Sequence, residues 1–417
     1  MSTSSTKHAW MAVGAVTLGS ILISGLIWNC LTLYADPVIN ALGISRSAFM
    51  LTITFLSGTN TVISLFFYGP LEQRFGLRRM MAAGGFFVTL GSLLFAISGS
   101  LPVLYLGAMF TGLGVSQMSD NCFNVACTYW FKRNRGTMIS IVATIGALSG
   151  AVFSIIVPLW IASMGWRGSF YVTAAVSAIF TILIVILYKG KPADLGEQPM
   201  WADAADAEEV DANAETGLTY KEMLKTPAAW LMIIVWLLVG ISGFAVRGNL
   251  VLFAVDYGYA ESQGLLNAVL LVSCAILSPI GGQMCDKLGA RSMMIFGMGS
   301  TIIACFLLMQ LSMSLAMLFV CAVLLSFGWA CNIVPIAPAI IENFGRKEMS
   351  KKSGLFVGMQ CLGVAVGPAT LSLFYDFGGG SYAVGLIVMA IMAALSIVLF
   401  FVAEVSSRKA GRWQLKK

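Results

Sequence analysis

Charged residues are scarce in this chain. Asp, Glu, Lys and Arg make up 11% of its 417 residues, where a soluble domain carries about 25%. That deficit argues against a solvated globule. Histidine is scarcer still: His8 is the only one, and it precedes the first apolar run. A histidine metal site and a histidine proton relay are therefore both disfavoured. Nine cysteines are present, but none in C-x-x-C spacing, so neither a disulfide framework nor a zinc site is suggested. No Gly-x-x-x-x-Gly-Lys-Ser/Thr loop occurs, which argues against direct ATP drive. No nucleophile–base pair or metal cluster stands out, so no enzyme chemistry and no cofactor is expected.

What is there is apolar: 58% of the residues are hydrophobic, in repeated runs of about 20. At that length per crossing, the chain accommodates about twelve spans. They fall near 9–34, 47–70, 79–98, 101–131, 137–163, 168–188, 228–254, 262–284, 291–311, 314–341, 353–375 and 381–403. The expected architecture is all-α and polytopic. Residues 1–188 form one six-helix bundle and 227–404 a second. Between them runs a linker, 189–226, with eight acids and no base from Asp194 to Glu215, a solvated composition. A basic tail, 405–417, follows. The first run is long enough to span and is read as a helix, not a cleaved signal.

The bases fix the orientation. With the N-terminus inside, twenty-two of the twenty-five Lys and Arg fall on the cytoplasmic side; Arg46 and Arg167 lie outside and Arg247 lies within a span. Both termini are thus expected in the cytoplasm of a plasma (inner) membrane protein. The net charge of +6 reads as a topology signal beside anionic lipid, with no nucleic-acid partner implied.

An internal repeat supports two related halves. Gly69, Glu72, Arg74, Gly76 and Arg78 follow the second span, and Gly282, Asp286, Lys287, Gly289 and Arg291 follow the eighth. Gly69 and Gly282, Gly76 and Gly289, Arg78 and Arg291 are each 213 residues apart. Glycine permits a tight helix-to-helix turn, and the charges can lock the loop to neighbouring helix ends. This loop resembles the signature of the major facilitator superfamily. The second copy fits it fully. In the first, Gln73 holds the acid position and Glu72 sits one residue early, so a weaker charge lock is expected there. Tyr34-Ala-Asp-Pro37, Tyr129-Trp-Phe-Lys-Arg-Asn-Arg-Gly136, Trp166-Arg167 and Pro192-Ala-Asp-Leu-Gly-Glu-Gln-Pro199 resemble, in their order, the oxalate/formate antiporter and monocarboxylate porter group. The resemblance implies twelve helices in two pseudo-symmetric bundles. It implies a cavity lined by the first, fourth, seventh and tenth helices, and transport of a small organic anion by proton symport or anion exchange. The expected partners are that anion, protons and the lipid bilayer, with a monomer as the working unit. Relatives often carry a base within the eighth or eleventh helix; here Lys351 and Lys352 only begin the eleventh.

Several polar residues fall within spans. On the fourth, Gln117, Asp120, Asn121 and Asn124 recur at helical spacing and should share one face. Asp120 is the one deep acid, a candidate for proton coupling. A charged group at that depth is expensive unless it faces a cavity or partner. The amides could equally bond neighbouring helices. On the seventh, Trp236, Gly240, Gly243 and Arg247 form a face, with Asn249 nearby. Arg247 would hold a carboxylate through paired hydrogen bonds, or pair with Asp36 or Asp256 at the outer end. Trp28 on the first helix, Asn332 on the tenth and Gln360 on the eleventh complete the substrate-binding candidates. Pro335 and Pro338 should kink the tenth helix. Gly146/Gly150 and Gly363/Gly367 should allow close helix approach, the first pair against the other half. A second reading is an exporter of amphipathic drugs or metabolites by proton antiport.

Overall fold

Where the apolar runs lie, helices form. In this computed structural model the residues described are 3–118, 120–131, 135–197, 200, 217–310, 314–333, 335–345 and 347–409. The side chains of Asp120, Asn121, Asn124 and Asp286 lie outside the described set, so expectations about them stand as proposals. Among the described residues the chain is almost wholly helical, with two isolated backbone bridges, Phe131 to Met200 and Gly217 to Gly345. A backbone crossing lipid must satisfy its own N–H and C=O groups, which a helix does. Hydroxyls follow the same rule: Ser154, Thr173, Ser177, Ser242 and Ser326 each donate to the carbonyl four residues back.

Nine helices among the described residues are long and apolar enough to cross a membrane. Two of these, Arg46–Ile97 and Ile141–Leu187, run to 52 and 47 residues. Each bends at a glycine in the left-handed region, Gly76 (φ 72°) and Gly165 (φ 74°), and so accommodates two crossings. The tenth predicted span divides into Leu315–Ile333 and Ile336–Phe344 at the expected proline, Pro335.

The fourth span departs from expectation. It is not one helix but two, Leu101–Gln117 and Asp120–Trp130, broken at Met118 (φ −119°, ψ 25°). Ser116 Oγ and Gln117 Nε2 both donate to the Leu113 carbonyl. The Met118 N–H closes the turn on Gly114 and Val115. Side chains bonding the last turn's carbonyl compete with helix continuation. Gln117 therefore ends one helix while Asp120 begins the next, and the four-residue face is interrupted at its first member.

The chain divides into two compact units, 1–44 with 51–208 and 45–50 with 209–417. In the first unit, the opening helix lies against the fifth. A methyl group on Gly146 would stand 2.1 Å from Ser20 Oγ, and one on Gly25 2.3 Å from Ser149 Oγ. The Gly146/Gly150 contact is thus made within its own unit, which corrects the expectation that it faces the other half. The opening helix widens to a π-helix over Ile21–Trp28 beside this contact.

In the second unit, the helices Pro227–Asp256 and Met349–Phe377 touch backbone to backbone. A methyl on Gly240 would lie 2.2 Å from the Gln360 carbonyl oxygen, and one on Gly363 2.4 Å from that of Leu237. Trp236, Met294, Met298, Phe344, Phe356 and Phe400 fill the core beside them. The short segment 45–50 belongs to this unit through Arg46. Its guanidinium pairs with both Asp256 oxygens, donates to Tyr382 Oη at 2.6 Å and lies 4.2 Å from the Tyr375 ring centre.

Candidate functional site

Arg247 sits in the C-terminal half of an otherwise apolar helix, Pro227–Asp256. It is half-buried. Its guanidinium has two recorded neighbours, the Cys274 sulfur at 3.9 Å and the Trp329 ring, whose centre lies 5.4 Å away. Phe244, one turn earlier, packs its ring 5.4 Å from that of Trp329. Cys274 in turn lies 3.8 Å from Ser278 Oγ. The result is a cation flanked by aromatic faces and weakly polar groups. Among the described residues no carboxylate pairs with it. Of the two acids considered as partners, Asp256 is taken by Arg46, and Asp36 accepts from the Asn40 amide.

The other candidates separate into filled and unfilled valences. Asn249 is fully buried and saturated. Its amide donates to the Ala245 and Pro368 carbonyls at 2.9 and 3.0 Å, and its oxygen accepts from Ser372 Oγ at 2.7 Å. It ties the seventh helix to the eleventh, which leaves its side chain little hydrogen-bonding capacity for a substrate. Gln117 spends its amide on its own helix. By contrast, Asn332 Oδ1, Gln360 Nε2 and Trp236 Nε1 are buried without a partner among the described residues. A buried polar atom left unsatisfied costs about 1–3 kcal/mol, so each is a place where a ligand group or water would be welcome. Trp28 is half-buried at the end of the π-helix.

The Trp236–Arg247 face is split by packing. Gly240 abuts the Gln360 carbonyl and a methyl on Gly243 would stand 3.9 Å from Met298 Cε, whereas Arg247 turns to Cys274 and Trp329. Sequence reasoning missed Phe244, Cys274 and Trp329 as a group. Nothing in their spacing unites three residues that come from three helices. It also read Lys352 only as a topology charge. In the structure Lys352 is fully buried, and its ammonium donates to the Phe344 and Gly345 carbonyls at 2.9 and 3.1 Å, closing the end of the Ile336–Phe344 helix.

The loop motifs are partly as expected. Gly76 and Gly289 adopt the same left-handed turn. Glu72, displaced by one residue in sequence, is nonetheless engaged: it accepts from Tyr129 Oη at 2.9 Å and pairs with Lys191 at 3.0 Å. The weaker lock expected there is corrected, because the partners come from elsewhere in the unit. In the second copy Arg291 lies 3.7 Å from Glu404 and 4.0 Å from the Phe401 ring centre.

A sequence model of the Major Facilitator Superfamily matches residues 17–276 and 255–415. The chain is 26% identical over 389 residues to the oxalate:formate antiporter of Oxalobacter formigenes, covering 91% of this chain and 85% of that one. It is 23% identical over 387 residues to a lysosomal dipeptide transporter of Bos taurus, covering 86% and 78%. Among solved structures, the nucleoside transporter NupG aligns with a TM-score of 0.72 at 13% identity over 96% of this chain and 98% of that one. A bacterial homologue of the lysosomal transporter Spinster, inward-facing and occupied, gives 0.71 at 14% identity over 98% of both. At such identities the structural likeness speaks for the fold alone.

Proposed function

Because this chain belongs to the major facilitator superfamily, we propose that it is a secondary transporter of a small organic anion whose carboxylate is held by Arg247. The observation that carries this reading is the half-buried guanidinium with no carboxylate partner among the described residues. An Arg at the centre of a membrane helix costs about 2.5–3.5 kcal/mol on insertion scales, an upper bound for Arg247, which lies past the midpoint of Pro227–Asp256. A carboxylate substrate offsets that cost through two parallel charge-assisted hydrogen bonds. Trp329 and Phe244 would form the apolar walls, and the unfilled Asn332 Oδ1 and Gln360 Nε2 offer further polar contacts. Likeness to a protein named for oxalate and formate exchange supports the anion class. A lipophilic cation would meet the uncompensated positive charge of Arg247, which favours this reading over export of cationic drugs.

Movement would proceed by alternating access, driven by proton symport or by exchange against a second anion. Asp120 is the proposed proton carrier, with Asn121, Asn124, Gln117 and Trp28 as secondary contacts in the first unit. Asp120 is the first residue of the helix Asp120–Trp130.

Counterflow from proteoliposomes against a panel of mono- and dicarboxylates tests the assignment. Loss of charge-assisted bonds worth about 1.5–3 kcal/mol should raise the apparent KM of Arg247→Gln roughly 10- to 150-fold. Arg247→Lys should fall between, since an ammonium keeps the charge but not the planar fork. Unchanged affinity in both variants would remove Arg247 from the substrate site. For Asp120→Asn, loss of pH-dependent uptake with exchange retained is expected; intact proton-coupled uptake would dismiss the carrier role.

A further inference from the structure

A second polar cavity lies in the first unit, well away from Arg247 in sequence and chemistry. About 460 Å³ in volume, it opens between the bend at Gly76 and the segment that follows the Ile141–Leu187 span. Its lining includes five bases, Arg74, Arg78, Arg79, Lys189 and Lys191, against two acids, Glu72 and Asp194.

Both acids are already occupied. Glu72 accepts from Tyr129 and pairs with Lys191; Asp194 Oδ2 accepts the Lys191 backbone N–H at 3.2 Å. Lys191 is thereby consumed, and its ammonium is held above its usual range by the Tyr129 and Glu72 contacts. Arg78 spends only Nε, on the Val185 carbonyl at 3.1 Å, so its two terminal nitrogens remain. Arg74 and Arg79 stand exposed at the rim. The helix restarts after Gly76, and Leu77, Arg78 and Arg79 of its new first turn line the cavity. First-turn amides and the helix dipole attract anions.

An independent observation points the same way. Tyr188 lines this cavity, is 1% exposed, and its hydroxyl has no hydrogen-bond partner among the described residues. A buried phenol donor without an acceptor, at the back of a basic cleft, is matched by an oxyanion with several acceptor oxygens. Carboxylates offer two; a phosphate group offers three or more and suits Arg forks and a helix start together.

We propose that this cleft is a binding site for a phosphate group, with Arg74, Arg78 and Arg79 around its oxygens and the Tyr188 hydroxyl as a buried donor. The same chemistry could be supplied by an anionic phospholipid headgroup at the membrane surface or by soluble phosphate.

Native mass spectrometry of the full chain released from nanodiscs tests this with two probes. One arm uses discs of phosphatidylcholine doped with phosphatidylglycerol; the other adds inorganic phosphate to protein in pure phosphatidylcholine discs. The expected result is one retained phosphatidylglycerol, or one retained phosphate, per chain. Arg74→Gln with Arg79→Gln should weaken retention at least tenfold. Tyr188→Phe, which keeps the ring and its packing, should weaken it several-fold. Retention in the first arm alone assigns the site to lipid, and retention in the second assigns it to soluble phosphate. Two results overturn the proposal: no retention in either arm, or an equal loss in the control Lys221→Gln with Lys225→Gln, which removes exposed bases elsewhere.

Discussion

Gly363 offers the sharpest test of how the second unit is held together. A methyl group there would stand 2.4 Å from the Leu237 carbonyl oxygen, 2.7 Å from the Ile241 nitrogen and 2.8 Å from the Gly240 Cα. All three are backbone atoms, so no side-chain rotation relieves the clash. Carbon–oxygen contacts between helices settle near 3.3–3.6 Å, so the two helices must part by about 1 Å. Overpacking of a filled interior costs about 1–3 kcal/mol. The rigid backbone on the far side puts Gly363→Ala toward the upper end. Against that, Ala gains about 1 kcal/mol of helix propensity over Gly, leaving a net loss of roughly 2 kcal/mol. Gly354 supplies the control, because it lies on the same helix with nothing within 4 Å of the added methyl. Gly354→Ala should be neutral or mildly stabilising. Followed by intrinsic tryptophan fluorescence on heating in detergent, a unit of about 200 residues should lose roughly 4–8 °C in Gly363→Ala. Equal midpoints for the two variants would mean that this backbone contact does not limit stability.

Asn249→Ala should destabilise the same helix pair by about 1–3 kcal/mol, since it strips three hydrogen bonds. The surviving folded protein should keep its carboxylate affinity, which counterflow after size selection would check. Arg46→Gln and Asp256→Asn remove one shared contact, so the double variant should be little less stable than either single one. A thermal double-mutant cycle should return a coupling of about 0.5–3 kcal/mol, and strict additivity would contradict the pairing. Lys351 and the Tyr220 N–H hold the Glu348 carboxyl below its usual 4.5. The folded value lies below the unfolded one, so the contribution is present above about pH 4.5 and disappears as pH falls through the folded value. Glu348→Gln should therefore flatten the acid limb of the midpoint-versus-pH curve below that point, and an unaltered limb would count against the pairing.

Hydropathy and the 213-residue spacing made most of the fold legible, because a lipid solvent leaves a helix few alternatives. The fourth span shows the limit of that signal. Average hydropathy is blind to a single broken turn, although Ser119-Asp120 carries the residue types that open a helix and could have marked it. Arg247 was found because a lone base in an apolar run is conspicuous. Its lack of an outer partner was not legible, since Asp256 is claimed by Arg46 from 210 residues away. Asn249 shows the reverse. Sequence presents a polar residue beside Arg247, whereas the bonds that saturate it come from Pro368 and Ser372 on another helix. Glu72 was discounted for a one-residue slip in a motif, yet Tyr129 and Lys191 reach it where it stands. In each case residue type was readable and the partner was not, because the partner is set by helix packing over long sequence separations.

The arginines repay a closer comparison. Gly76, Gly165 and Gly289 make the same turn, with φ of 72°, 74° and 77°, and an arginine stands two residues after each. Arg78 donates to Val185, in the last turn of the span that ends at Leu187. Arg167 donates to Ser98, just beyond the helix that ends at Ile97. Each of these two helices thus begins beside an arginine that bonds the closing carbonyls of the other, where intrahelical donors have run out. Favourable charge at a helix C-terminus adds about 0.3–1 kcal/mol. This bears on the charge asymmetry. Arg167 is one of the two bases on the sparse side, and the other, Arg46, is bound to Asp256, Tyr382 and Tyr375. The two bases that depart from the expected charge bias, Arg46 and Arg167, are thus both held by tertiary contacts.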